Sequence, residues 1–228
     1  MNKILRTVIF LAFVTIVGLN ANAQNSREYI RNSISGWGEC KNVAITRTNG
    51  DMAIYGKNGY SYKDCPDEMT KTIKELHDNG NEIQDICLSE DGNWIILFDK
   101  NGGWWNGIPQ AMADKFLAYH RNGETITSVS FTDEGEWIIV SDQHIAASSS
   151  SLKTWLFEGC DDYGDLWSCC ITEDGAVAVY AGGYRFRGNV PEEFKDALRG
   201  AEFDVYRAKF AGDAWFMADK NGSYRYNM

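Results

Sequence analysis

The three prolines of the chain, Pro66, Pro109 and Pro191, fall at the same point of an internal repeat of about 41 residues. Each opens an amphipathic stretch: Pro66-Asp67-Glu68-Met69, Pro109-Gln110-Ala111-Met112 and Pro191-Glu192-Glu193-Phe194. Proline is suited to the first position of a helix, because its missing N–H is not needed there and its fixed φ is already helical. The register therefore predicts helices beginning near Asp67, Gln110 and Glu192, and a fourth near Ser149, where serine supplies the N-cap.

The stretches between these helices repeat as well. One unit runs Ile83–Ser89, a turn Glu90-Asp91-Gly92-Asn93, a strand Trp94–Phe98, a turn Lys100-Asn101-Gly102, and a third strand through Trp104 and Trp105. Asp-Gly and Asn-Gly between apolar runs signal hairpins, since both supply positive φ at little cost. Second strands open at Met52, Trp94, Trp137, Val177 and Trp215, which counts five units. The fifth stops at Met228 after its third strand, and a helix from Ser26 to about Ser33 precedes the first strand at Val43. Ser26–Ile30 aligns with Val190–Phe194, with Ser26 as cap, so the N-terminal helix is expected to complete the last unit. The expected fold is mainly β with short helices. It is a closed, five-bladed, propeller-like ring of three strands plus one helix per unit, without the free edges of an open stack.

These hairpin units, with their Trp and Gly punctuation, resemble the blades of a β-propeller over residues 26–228, the helix standing where a fourth strand would lie. The WD40 and kelch signatures are absent. The pattern is also similar to small exported repeat proteins of bacteria with no settled activity, so the resemblance carries over no catalytic residue.

Lys3 and Arg6, the apolar run Thr7–Leu19 and Ala21-Asn22-Ala23 read as a secretory signal peptide over residues 1–23, leaving residues 24–228 as one domain. The run is short for a membrane span. Export predicts a periplasmic or extracellular protein. The formal charge of −10 disfavours nucleic acid and anionic lipid, both of which require basic surface. In an oxidising compartment Cys40, Cys65, Cys87, Cys160, Cys169 and Cys170 are able to pair, Cys40–Cys65 and Cys160 with Cys169 or Cys170 being the first pairs to test. Cys87 and Cys170 also fit as small buried thiols.

In each first strand one face is apolar and the other small or polar: Asn42 and Ala44, Asp85 and Cys87, Ser128 and Ser130, Ser168 and Cys170, Arg207 and Lys209. Small residues suit packing where five strands converge. Asp85, Arg207 and Lys209 break that rule and mark a candidate ligand site at a channel mouth, where the arginine and lysine would bind an anion or carboxylate. Trp104 and Trp105 must face opposite sides of their strand, making one of them a candidate contact platform. Glu158, Asp161, Asp162 and Asp165 read as a solvated acidic loop rather than a calcium loop. His77 and His120 precede helix-ending glycines and suit a helix C-terminus. No cofactor, metal or nucleophile motif occurs. The readings converge on a monomeric, non-enzymatic binding protein for a protein or glycan. The alternative is a glycosidase-like secreted hydrolase with paired carboxylates drawn from loops at the axis.

Overall fold

Every unit of the chain builds the same way, from a first strand outward. A computed structural model describes residues 25–48 and 50–228; residues 1–23, read above as a signal peptide, lie outside these residues. Helix α1 covers residues 25–37. Five antiparallel sheets follow: β1 (Asn42–Ala44), β2 (Asp51–Tyr55) and β3 (Gly59–Lys63); β4 (Ile83–Leu88), β5 (Trp94–Phe98) and β6 (Gly102–Asn106); β7 (Ile126–Phe131), β8 (Trp137–Ser141) and β9 (Ile145–Ala147); β10 (Leu166–Ile171), β11 (Gly175–Tyr180) and β12 (Gly183–Gly188); β13 (Arg207–Ala211), β14 (Ala214–Ala218) and β15 (Tyr224–Tyr226). Between them lie α2 (Asp67–Asp78), α3 (Gln110–Arg121), α4 (Ser150–Tyr163) and α5 (Glu192–Arg199). The repeat of three-stranded units with a helix each is thus the architecture. No helix among the described residues is long and apolar enough to cross a membrane.

The prolines stand one residue earlier than expected, at the N-cap rather than the first helical position. Their φ of −54° to −55° and ψ of 133° to 138° are extended, and their carbonyls accept the first helical bonds. Thr70, Ala113 and Lys195 N–H groups donate to Pro66, Pro109 and Pro191 at 3.0, 3.1 and 3.1 Å. Ser149 caps α4 as expected, its Oγ accepting from Leu152 N. Ser26 does not cap α1; it lies inside the helix, buried, and its hydroxyl donates to Asp64 Oδ2 at 2.8 Å.

The two hairpin turns use glycine differently. Gly92 has positive φ, as its Asp-Gly turn requires, and Gly135 does so after Glu134, whereas Gly175, which follows Asp174, does not. In the second turns of units one and two the left-handed residues are Gly56 and Asp99 instead. Gly59 and Gly102 serve by leaving space, since a Cβ would come within 2.4 Å of the Tyr55 or Phe98 ring.

Each helix fills the wedge between its own sheet and the next. Met69, Ile73 and Leu76 of α2 pack with Met52 and Ile54 of the first sheet and Ile86 and Trp94 of the second. Complete burial of such side chains stabilises by roughly 1.5–3 kcal/mol each. The same arrangement joins sheets two and three through α3, three and four through α4, and four and five through α5. The fifth such core contains Ile30 and Ile34 of α1 with Val43 and Ala53 of the first sheet and Phe216 and Ala218 of the last. Trp94, Trp137 and Trp215, which open their strands, are buried in these cores.

All six cysteines are free, so the expected pairs do not form. Cys40 sits in the α1 core and donates to the Asn42 and Ile54 carbonyls, whereas Cys65 packs at the α2 core and donates to Asp51 O. Cys160 and Cys169 join the α4 core, and Cys170 the α5 core. The acidic run is also corrected: Glu158, Asp161 and Asp162 belong to the end of α4, which Gly164 closes at φ 80°.

Candidate functional site

The first strands bring the polar register together. Asn42, Asp85, Ser128, Ser168 and Arg207 form one layer, and Ala44, Cys87, Ser130, Cys170 and Lys209 the next. Neighbouring first strands belong to separate sheets, so no ladder joins them. Side chains supply the links instead. Asn42 Nδ2 donates to Asp85 Oδ1 at 2.7 Å and Ser128 Oγ to Asp85 Oδ2 at 3.0 Å. Ser130 Oγ accepts from Ile171 N at 2.9 Å, and Ser168 Oγ donates to the Tyr206 carbonyl at 2.7 Å.

Asp85 is the hub. It is fully buried, and Lys209 Nζ of the fifth unit donates to its Oδ1 at 2.9 Å and to the Ile86 carbonyl at 3.2 Å. Ile86 N and Val129 N also donate to the carboxylate, at 2.9 and 3.0 Å. Burial alone would raise the Asp85 carboxyl, but Lys209, Arg207 and these bonds hold it below the usual carboxylate range. Burial likewise opposes charge on Lys209, and Asp85 more than offsets it, raising the ammonium above its ordinary value.

Arg207 caps one end of this stack, and a repeated irregularity lets it do so. The ladders β4–β5, β7–β8 and β10–β11 each shift register at the second residue of the inner strand, skipping Gln84, Thr127 and Trp167. A bulged residue is left out of the ladder. The freed carbonyls accept from the guanidinium: Gln84 O at 3.2 Å and Thr127 O from Nη2, Trp167 O at 3.4 Å from Nη1.

The expectation that Asp85, Arg207 and Lys209 line an open channel mouth is therefore corrected. The three do meet, but they are 0%, 2% and 5% exposed and bond to one another and to backbone. A guest anion would have to displace those bonds inside a low-dielectric interior.

Beyond Lys209 toward the other end lies a cavity of about 40 Å³, bordered by Ala44, Cys87, Ser130 and Cys170. That is room for a few waters and far below the roughly 300 Å³ of an ordinary ligand pocket. Its rim carries Glu90 and Glu173. Arg47 reaches both: Nε lies 3.4 Å from Glu90 Oε1, Nη2 3.9 Å from Glu173 Oε2 and Nη1 3.3 Å from Asp174 Oδ2. A turn arginine of unit one thus ties turns of units two and four together. Arg47, Glu90 and Asp174 lie in turns, where neither periodicity nor a chemical motif marks their side chains as partners.

Trp104 and Trp105 separate as alternation requires. Trp104 is 51% exposed, while Trp105 packs edge-on against Phe116 of α3 at 5.3 Å. Trp105 is thereby removed from the contact platform. His77 and His120 each exchange bonds with a turn residue: the rings meet the Asn58 and Asn101 carbonyls at 3.1 and 3.0 Å, and those Asn side chains donate back to the His carbonyls. They fasten helix ends to hairpins. No group of three or more His, Cys, Asp or Glu fit to hold a metal ion occurs among the described residues.

No family model matches the chain, and no curated protein matches it. Among solved structures it is similar to the C-terminal domain of gp131 from bacteriophage phiKZ, at 11% identity and a TM-score of 0.37, over 73% of this chain and 56% of that one. The chain spans little more than half the length of that domain, and a likeness this slight fixes neither fold nor function.

Proposed function

We propose that this chain is an exported, non-enzymatic binding protein: a closed, five-bladed, propeller-like ring that acts as a monomer and offers an exposed aromatic surface to a protein or glycan. Trp104 carries the reading. It holds half of its large apolar surface in solvent, on the outer strand of a unit whose equivalent core positions are all filled. An aromatic ring so placed is a contact element for sugar faces or partner side chains. Support for closure comes from the α1 core, which links the last sheet to the first in the way the other four helices link their neighbours. The basic, apolar and small-residue order of residues 1–23 supports export.

A hydrolase is the second reading, favoured by the convergence of Glu90, Glu173 and Asp174 from different units. Against it stands Arg47, which already occupies the space between these carboxylates. Glycan arrays and pull-downs with the purified chain and its Trp104→Ala variant decide between the readings. Binding that disappears with Trp104 is the expected result; turnover of a glycan that survives Trp104→Ala and is lost in Glu90→Gln would replace binding with hydrolysis.

A further inference from the structure

The repeat explains most side chains as scaffold, so those that depart from it ask for another reason. The position just before the first axial layer is Lys41, Gln84 and Thr127 in units one to three, but Trp167 and Tyr206 in units four and five. The two rings lie 5.9 Å apart at 48° and stand at the end of the axis that Arg207 caps. The Arg207 guanidinium carbon is 4.4 Å from the Tyr206 ring centre. Lys220 Nζ also lies 4.4 Å from that centre, and 5.4 Å from that of Trp167. Lys220 has no ion-pair partner among the described residues. The aromatic pair thus already receives an ammonium of the protein itself.

Lysine recurs in this hairpin turn as Lys57, Lys100 and Lys220, but unit four has Ala181-Gly182-Gly183. A Cβ on Gly183 would come within 2.7 Å of the Tyr163 ring, so that turn presses on α4 and sends no side chain over Trp167. Space opens there instead. One cavity of about 260 Å³ lies beside this turn, and a second of about 270 Å³ contains Tyr206 and Lys220; Trp167 and Asp204 border both. Asp204 is exposed and is paired with no cation among the described residues.

We infer that Trp167 and Asp204 form the seat of a two-lobed groove for an organic cation, an alkylammonium or quaternary ammonium group, with Lys220 as the internal cation that competes for it. A ring face attracts a cation through its quadrupole, and a nearby carboxylate adds charge. Arg207 and Lys220 already attend Tyr206, which leaves the side of Trp167 toward the glycine turn for the guest. This seat is independent of Trp104, and Trp104→Ala is expected to leave it intact.

The test is an NMR titration of the 15N-labelled chain, following the Trp167 indole N–H, with choline and with its uncharged isostere 3,3-dimethylbutan-1-ol. Choline is expected to shift that resonance saturably in the millimolar range, and the neutral alcohol at equal concentration to leave it in place. Asp204→Asn, an exposed and conservative change, should weaken choline about threefold or more, and Lys220→Ala should tighten it by a similar factor. An equal response to the neutral alcohol, an unmoved Trp167 signal, or unchanged affinity in Asp204→Asn would each overturn the inference.

Discussion

Lys209 of the fifth unit donates to Asp85 of the second at 2.9 Å, and neither reaches bulk water. The bond joins first strands of two units that are far apart in the sequence. Removing one partner strands the other as an uncompensated buried charge, which costs about 3–5 kcal/mol. Lys209→Met is therefore expected to lower Tm by about 10 °C, at roughly 2–4 °C per kcal/mol for a chain of this size. The double variant Asp85→Asn/Lys209→Met should recover much of the loss. Additive effects in that cycle, measured by urea unfolding, would remove the pair from the centre of the account.

A second buried acid gives a pH signature. Asp51 is fully buried; Thr46 N donates to its Oδ1 at 3.1 Å, while Oδ2 has no hydrogen-bond partner among the described residues. Burial pushes its carboxyl from the ordinary 3.8 up to about 7, despite the Thr46 N–H and Arg27. Between those two values the native state keeps a proton that the unfolded chain releases, so stability from this group falls as pH rises, and the penalty persists in full above about 7. Asp51→Asn carries no such charge. Its Tm relative to wild type should climb through that window and then level off; a difference that stays constant with pH would refute the assignment.

Thiol chemistry follows from burial. The Cys40, Cys65 and Cys87 thiols are pushed up to about 12, chiefly by desolvation. At pH 8 only about one such thiol in ten thousand is the reactive thiolate. The folded chain should resist Ellman's reagent, and denaturant without reductant should release all six. Fewer than six would mean that a disulfide forms after all.

The two arginines at opposite ends should behave differently. Arg47 is partly exposed and its ion pairs are solvent-screened, so Arg47→Ala is expected to cost less than about 1 kcal/mol. Arg207→Met leaves the carbonyls of Gln84, Thr127 and Trp167 without their donor and should cost about 3 kcal/mol or more. Equal costs in chemical denaturation would contradict the contrast.

The hairpins, the helix starts and the axial face of each first strand were legible because they recur. Five aligned copies average out local accidents, and strand alternation alone placed Asp85, Arg207 and Lys209 on one surface. What these three do was not legible. Their partners are largely backbone groups, such as the Gln84 and Thr127 carbonyls, and a bulge that frees a carbonyl leaves no mark in residue type. The prolines were placed one residue late because N-cap and first helical position both accept a fixed φ near −55°, and only ψ separates them. The Trp167–Tyr206 pair stands out only as a departure from the repeat, visible once the register was known.

The proposed ring closure rests on α1, and native-state hydrogen exchange of Ile34→Ala tests it most directly. Ile34 is fully buried in the core shared with Phe216 and Ala218 of the last sheet. If α1 completes that unit, truncating Ile34, at a cost of about 2–5 kcal/mol, should lower protection in β13 and β14 together with β1 and β2. Loss of protection confined to α1, with the fifth sheet unchanged, would contradict closure.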